Sequence, residues 1–134
     1  MIMVGSSSHT LLFSLFLIVA SLVALSEGRN VYIRNDLGNG IPLNIQCKSD
    51  DKNLGDHKLN YQQEINLPIK VKFCKTTTLT CTMTWNGQLH VLDVFNSKRD
   101  GKLGKDLKWS IQNNRPCLFN SSTKKYDLCN YSYS

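Results

Sequence analysis

The sequence predicts an all-β fold: a small antiparallel β-sandwich of about eight strands, stabilised by disulfides. Apolar and polar residues alternate in runs of five to nine residues, which is typical of half-buried strands. Beyond residue 28 no long segment has a helical period. All five cysteines lie in that same part of the chain. Many short strands without helices favour two packed sheets.

The N-terminal segment predicts export. An apolar run spans residues 11–25 and is interrupted only by Ser14 and Ser21, so it is shorter than the roughly 20 residues that a membrane span needs. We interpret residues 1–28 as a secretory signal peptide, cleaved after Ser26 or Gly28, and residues 29–134 as one domain. The expected product is secreted, with no stable membrane span after cleavage.

The strands follow in chain order, and each has its apolar residues on one face. These residues are Val31 and Ile33; Ile41, Leu43, Ile45 and Cys47; Ile65, Leu67, Ile69, Val71 and Phe73; Leu79, Cys81, Met83 and Trp85; then Leu107, Trp109 and Ile111, with later strands at 117–119 and 126–128. Pro68 has no N–H, so we expect its strand at an edge or bulged there. We expect polar connections at 50–56, 75–78, 96–106 and 120–125.

The clearest element is a hairpin around Asn86-Gly87. This dipeptide tolerates the positive φ angles of a type I′ turn, which matches a two-residue loop. With that loop, Cys81 lies opposite Leu92, and Leu79 lies opposite Val94. We expect the tryptophans on these strand faces to fill the space between the sheets.

The cysteines predict two disulfides and one remaining thiol. In an oxidising compartment the five candidates can form two bridges in fifteen ways, and spacing alone does not select among them. The candidates are Cys47, Cys74, Cys81, Cys117 and Cys129.

The charge of the chain limits its partners. With histidine counted as neutral, Glu27 is the only charged side chain in residues 1–28. Cleavage after Gly28 therefore changes the net charge from +6 to +7. Outside the cell this favours acidic wall polysaccharide, anionic head groups or an acidic receptor face over nucleic acid.

Candidate binding residues lie in two polar loops: Lys98, Arg99, Asp100, Lys102 and Lys105 in one, and Asp50 and Asp51 in the other. The Arg99 fork either engages carboxylates of a partner or pairs within the protein to hold the loop's shape.

Two sequons predict N-glycosylation near the C-terminus. Asn120-Ser121-Ser122 and Asn130-Tyr131-Ser132 both lie in polar stretches. In a secreted chain both are acceptor candidates.

A series of short motifs resembles the plant self-incompatibility S1 family, the S-protein homologues. The motifs are Cys47-Lys48-Ser49, Leu54-Gly55, His57-Lys58-Leu59, Cys81-Thr82-Met83-Thr84-Trp85, Val91-Leu92-Asp93-Val94-Phe95, Arg99-Asp100, Trp109 and Asn114-Arg115-Pro116-Cys117. The resemblance implies a secreted β-sandwich related to pistil ligands that a cell-surface receptor recognises, and a bridge between Cys47 and Cys117. The cysteine that family members usually carry just after Arg-Asp is absent here.

Two chemical alternatives have little support in the sequence. Asp50, Asp51 and Asp56 suggest calcium, but their spacing does not fit an EF-hand. His57 and His90 suggest a ribonuclease-like acid–base pair, although nothing in the sequence brings them together. We therefore expect no enzyme activity, no catalytic residue, no cofactor and no metal. We expect a monomeric binding protein whose partner is an unknown cell-surface receptor or wall component. The alternative is a basic effector that acts directly on anionic membrane or wall. A secreted nuclease is the third class considered.

Overall fold

A computed structural model describes residues 26–50, 52–72, 75–101 and 106–134. Within these ranges the chain forms nine strands and one short helix. The strands are β1 (Ser26–Asn35), β2 (Leu43–Ser49), β3 (Lys52–Leu59), β4 (Glu64–Lys72), β5 (Thr78–Trp85), β6 (Gln88–Asn96), β7 (Leu107–Ile111), β8 (Pro116–Asn120) and β9 (Lys125–Leu128), and the helix α1 is Ser97–Asp100. Most of the predicted leader, residues 1–25, lies outside the described residues, and cleavage after Gly28 would remove the first three residues of β1.

The strands form two sheets, which confirms the predicted sandwich. A five-stranded sheet has the order β4-β1-β7-β8-β9, and a four-stranded sheet has the order β3-β2-β5-β6. Buried side chains from both sheets make one core, which includes Ile33 and Trp109 from the first sheet and Leu43 and Met83 from the second. Pro68 lies on β4, which is an edge strand as expected.

Two features of the pairing differ from the prediction. The strand β1 pairs with β7 in parallel, so the sandwich is not purely antiparallel. The connection predicted at 50–56 is instead mostly strand β3, which pairs with β2 along Lys52–Leu59. Most β3 side chains are exposed, and Leu59 alone among them is buried, so this strand lacks the alternating apolar pattern from which strands were predicted.

The predicted hairpin is present, with one correction. Asn86 and Gly87 have φ angles of 51° and 72°, as a type I′ turn requires. Cys81 lies opposite Leu92 as predicted. The prediction that Leu79 faces Val94 was wrong: the register shifts between Leu79 and Thr80, so Leu79 pairs with Phe95. This bulge leaves Val94 and Phe95 both buried.

Two disulfides brace the sandwich, and they correct the Cys47–Cys117 pairing. Cys47 bonds Cys81, its direct neighbour across β2 and β5, and Cys117 bonds Cys129. A bond between Cys47 and Cys117 would have to cross between the sheets, which pack about 10 Å apart. That separation exceeds the ~7 Å limit between Cα atoms in a disulfide. Cys74 lies outside the described residues.

The last six residues cross back over the sandwich as a C-terminal tail (residues 129–134). Ser134 exchanges two backbone hydrogen bonds with Val91 on the edge strand β6, at 2.9 and 3.1 Å. Tyr131 packs edge-on against Trp109, and Tyr133 packs edge-on against Trp85. The tail therefore covers one open side of the core.

Candidate binding surface

Five separate parts of the chain meet at one end of the sandwich, which we call the basic end. It contains the start of β1, the turn after β2, the end of β4 with residues 75–77, the connection from β6 to β7, and the turn between β8 and β9. Seven exposed lysines lie at or next to it: Lys52, Lys70, Lys72, Lys75, Lys98, Lys124 and Lys125. The connections at the other end, 36–42, 60–63, 86–87 and 112–115, carry only Asp36 and Arg115 as charged residues. The described connections of the basic end carry both signs, with Lys75, Lys98, Arg99 and Lys124 against Asp50, Asp100 and Asp106. The excess of positive charge at this end therefore comes mainly from lysines on the adjoining strands: Lys52, Lys70, Lys72 and Lys125.

The two candidate loops predicted from the sequence both reach the basic end. Asp50 lies in the turn between β2 and β3, and Lys98 lies exposed on α1. Thr77 connects these regions, because it lines the same cleft as Asp50 and exchanges hydrogen bonds with Ser97 at 2.9 Å. The further candidates Asp51, Lys102 and Lys105 lie outside the described residues.

Arg99 and Asp100 bind each other. Nε and Nη2 of Arg99 donate to the two carboxylate oxygens of Asp100 at 2.8 and 2.7 Å, and Nη2 also donates to the Asp93 carbonyl at 2.7 Å. The guanidinium lies 5.7 Å from the ring centre of Trp109 and 5.4 Å from that of Tyr131. Of the two roles that the sequence allows, this geometry favours holding the loop's shape.

The ion pair is stabilised by the charge of Asp100 and by further hydrogen bonds around it. Burial acts to lower the pKa of Arg99, but the hydrogen bonds and negative charge of Asp100 raise it above its ordinary value. Asp100 is only 1% exposed and accepts a third hydrogen bond from the Asn96 N–H at 2.9 Å. Asn96 also caps α1, since its side chain accepts from the N–H groups of Lys98 and Arg99.

The start of β1 fixes the rest of this connection. Arg29 is buried and donates to the carbonyls of Asp100 and Gly101 at 3.4 and 3.1 Å. The Asn30 N–H donates to the Asp106 carboxylate at 2.9 Å. The loop is therefore tied down on both sides of residues 102–105.

A cleft of about 660 Å³ opens at the basic end, between the edge strands β3 and β4. Its apolar lining comes from Leu54, Pro68 and Ile69. Its described charged lining consists of five basic residues and one acidic residue: Arg29, Lys52, Lys70, Lys72, Lys75 and Asp50. These lysines were not predicted from the sequence. Their only signal was the alternation of Lys70 and Lys72 with apolar residues, which the strand prediction already explained.

The two histidines do not form an acid–base pair. His57, Ile45, Met83 and His90 lie in one row across four neighbouring strands. Three strand spacings of about 4.8 Å separate the histidines by about 14 Å. His90 is stacked on Trp85 at 3.8 Å, and His57 Nε2 lies 3.2 Å from the Leu54 carbonyl. The two imidazoles are therefore too far apart to act on the same phosphodiester.

The acidic residues considered for calcium are also spread out. Asp56 is four residues into β3, about 13 Å along the strand from Lys52, whereas Asp50 lies in the preceding turn. The described part of the chain contains no cluster of three or more His, Cys, Asp or Glu side chains suited to a metal ion. Nor does any helix in those ranges have the length and apolar character needed to cross a membrane.

Both predicted glycosylation acceptors lie near the surface. Asn120 ends β8, and its side chain accepts a hydrogen bond from the Ser122 N–H at 3.0 Å. Asn130 is exposed in the C-terminal tail, next to the packed Tyr131.

Comparison with known proteins identifies relatives along nearly the whole domain. The family model for "Plant self-incompatibility protein S1" matches residues 30–131. The chain is 36% identical to S-protein homolog 2 of Arabidopsis thaliana over 75% of this chain and 66% of that protein, so it spans about two thirds of that relative's length. It is 33% identical to S-protein homolog 18 of the same plant, over 92% of this chain and 96% of the relative.

A solved structure has the same fold. It is described as an SPH (Self-Incompatibility Protein Homologue) protein, from a widespread family of small, highly stable, secreted plant proteins. The similarity covers 69% of this chain and 84% of the other, with a TM-score of 0.51 and 22% sequence identity. The family model and the curated relatives confirm the resemblance drawn from the motifs: the chain belongs to the plant self-incompatibility S1 family, the S-protein homologues.

Proposed function

We propose that this protein is an extracellular, non-catalytic ligand that binds one specific partner at the plant cell surface through its basic end. The single observation that carries the proposal is the meeting of five chain segments at one end of the sandwich, where exposed lysines outnumber exposed carboxylates. Membership of a family of secreted proteins supports an extracellular setting.

The way this end is built supports recognition rather than chemistry. The Arg99–Asp100 pair, the Arg29 contacts and the Cys47–Cys81 disulfide hold the scaffold beneath the loops of the basic end. A surface held in its binding conformation loses little conformational entropy when it binds. Positive charge then steers the protein toward an acidic partner and accelerates their encounter.

Direct action on anionic membrane or wall is the second candidate, because the same lysines would serve it. A nuclease is disfavoured by the 14 Å or so that separates the two histidines. In the ligand proposal, affinity depends on a specific arrangement of side chains. In the direct proposal, affinity follows net charge alone and disappears at high salt, because salt screens exposed charges.

Site-directed crosslinking on living plant cells tests the proposal. A photoreactive amino acid replaces exposed Lys98 at the basic end, and in a matched control it replaces exposed Arg115 at the other end. We expect one discrete crosslinked product from the Lys98 position and none from the Arg115 position. Equal crosslinking from both positions, or from neither, would contradict a ligand that faces its partner through the basic end.

A further inference from the structure

The cleft at the basic end has the composition of a binding site for a charged chain. Its volume of about 660 Å³ lies within the ~300–1,000 Å³ range of ligand sites in proteins. It lies between the edge strands of two different sheets, so it is open along its length rather than closed like a pocket for a compact molecule. This shape suits a linear ligand lying along the gap.

The lysines of the cleft are available to a ligand. Lys52, Lys70, Lys72 and Lys75 are all exposed, and no ion pair joins any of them to another described residue. Lys70 and Lys72 project from the same side of β4, about 7 Å apart. Such a row offers ammonium groups at regular intervals, which suits a polymer with regularly spaced negative charges.

The apolar lining distinguishes among the anionic polymers. Leu54 and Pro68 offer carbon surface near the lysines, on which the C–H faces of sugar rings can pack, while Ile69 is buried in the core beneath them. Binding at a membrane interface needs an exposed apolar face that inserts into the lipid, and none of the described lining residues is an exposed large hydrophobic side chain. None of the described lining residues is aromatic, so the cleft has no platform on which nucleic-acid bases could stack.

We propose that this cleft binds a segment of a carboxylated polysaccharide, a linear chain of hexuronic acids of the kind found in acidic plant cell wall. The inference goes beyond the proposed function, since the cleft binds a wall polymer as a second ligand, beside the discrete partner that the Lys98 position contacts. The sugar carboxylates accept charge-assisted hydrogen bonds from the cleft lysines, while the ring faces pack on Leu54 and Pro68.

Edge strands also carry lysines for another reason, because charge prevents them from pairing with other chains. In that case the cleft lysines would suppress aggregation without binding anything. The two roles are separable: a protective role predicts that neutralising Lys70 and Lys72 causes self-association and leaves carbohydrate affinity unchanged.

Calorimetric titration of the protein secreted by plant cells with an oligogalacturonide tests the inference. The variant Lys70→Gln/Lys72→Gln removes two charges from the cleft, and the control Lys58→Gln/Arg115→Gln removes two exposed charges elsewhere. We expect at least about tenfold weaker binding for the cleft variant and a change of no more than about twofold for the control. A methyl-esterified oligogalacturonide, which lacks the carboxylate charge, should not bind.

The other outcomes overturn the inference. Equal weakening in both variants would mean that net charge alone attracts the polymer. Binding of phosphatidylserine vesicles but not of the oligogalacturonide, with the same dependence on Lys70 and Lys72, would assign the cleft to a membrane. If Lys98 still crosslinks a cell-surface partner while the oligogalacturonide does not bind, the proposed function stands and this inference fails.

Discussion

The substitution Asp100→Ala tests whether the Arg99–Asp100 pair stabilises the fold. Asp100 accepts two hydrogen bonds from Arg99 and one from the Asn96 N–H, and it is almost fully buried. Breaking a buried pair from one side costs about 3–5 kcal/mol. Because the Arg99 side chain is 33% exposed, water can partly resolvate it, and we expect a loss near the lower limit, about 3 kcal/mol.

Such a loss is large beside the ~5–15 kcal/mol by which proteins of this size are stable, and it lowers the melting temperature by about 12 °C. Urea unfolding followed by the fluorescence of buried Trp85 and Trp109 measures it. The control is Asp106→Ala, which removes an exposed carboxylate from the same connection and should cost less than about 1 kcal/mol. Equal, small losses in both variants would refute a stabilising role for the pair.

Three further predictions concern the turn, the tail and the sequons. Gly87→Ala should destabilise the fold by about 1 kcal/mol, because φ is 72° at this position. Gly101→Ala should stabilise it by about 0.4–1 kcal/mol, because φ is −58° there and an added Cβ meets open space. Thermal melting shows whether each variant is less or more stable than the wild type. Burial raises the pKa of Tyr133, so the contribution of its neutral phenol to stability is complete below the unfolded-state pKa of about 10 and is lost as pH rises further. In urea titrations above pH 10, the stability of the wild type should fall more steeply than that of Tyr133→Phe, by up to about 1.4 kcal/mol per pH unit. Parallel curves would show that Tyr133 does not cause the loss. Asn120→Gln and Asn130→Gln should each increase gel mobility by one glycan in protein secreted from plant cells, and unchanged mobility after enzymatic deglycosylation would contradict both.

The sequence predicted those strands whose burial imposes a pattern. In β5 every second residue is buried, from Leu79 to Trp85, and the Asn86-Gly87 turn determines the register of the hairpin locally. A pattern of this kind arises because one face of the strand packs in the core while the other meets water. In this hairpin the buried face and the pairing of Cys81 with Leu92 were confirmed, whereas the bulge that pairs Leu79 with Phe95 was not predicted.

The rest depended on contacts between distant parts of the chain. Strand β3 has few buried positions, so its sequence looks like a connection. The parallel pairing of β1 with β7 joins strands that are far apart in sequence, and no local motif predicts it. The Cys47–Cys81 bridge follows from the register of β2 against β5, which cysteine spacing does not reveal.

The candidate site was predicted in part. The loops at Asp50 and Lys98 were selected for their charge, and the structure places both at the basic end. Lys70, Lys72 and Lys75 were missed because a lysine on an exposed strand position is ordinary by itself. Their grouping with Lys52 depends on two edge strands from different sheets lying side by side.

The most direct test of the central claim is binding of the fluorescently labelled protein to living plant cells after matched charge reversals. Lys75→Glu/Lys98→Glu changes the basic end, and Lys58→Glu/Arg115→Glu makes the same change in net charge elsewhere. The account predicts that the first variant stays folded and loses cell-surface binding, while the second binds like the wild type. Equal loss in both variants, or full binding by the first, would contradict the claim that the basic end contacts the partner.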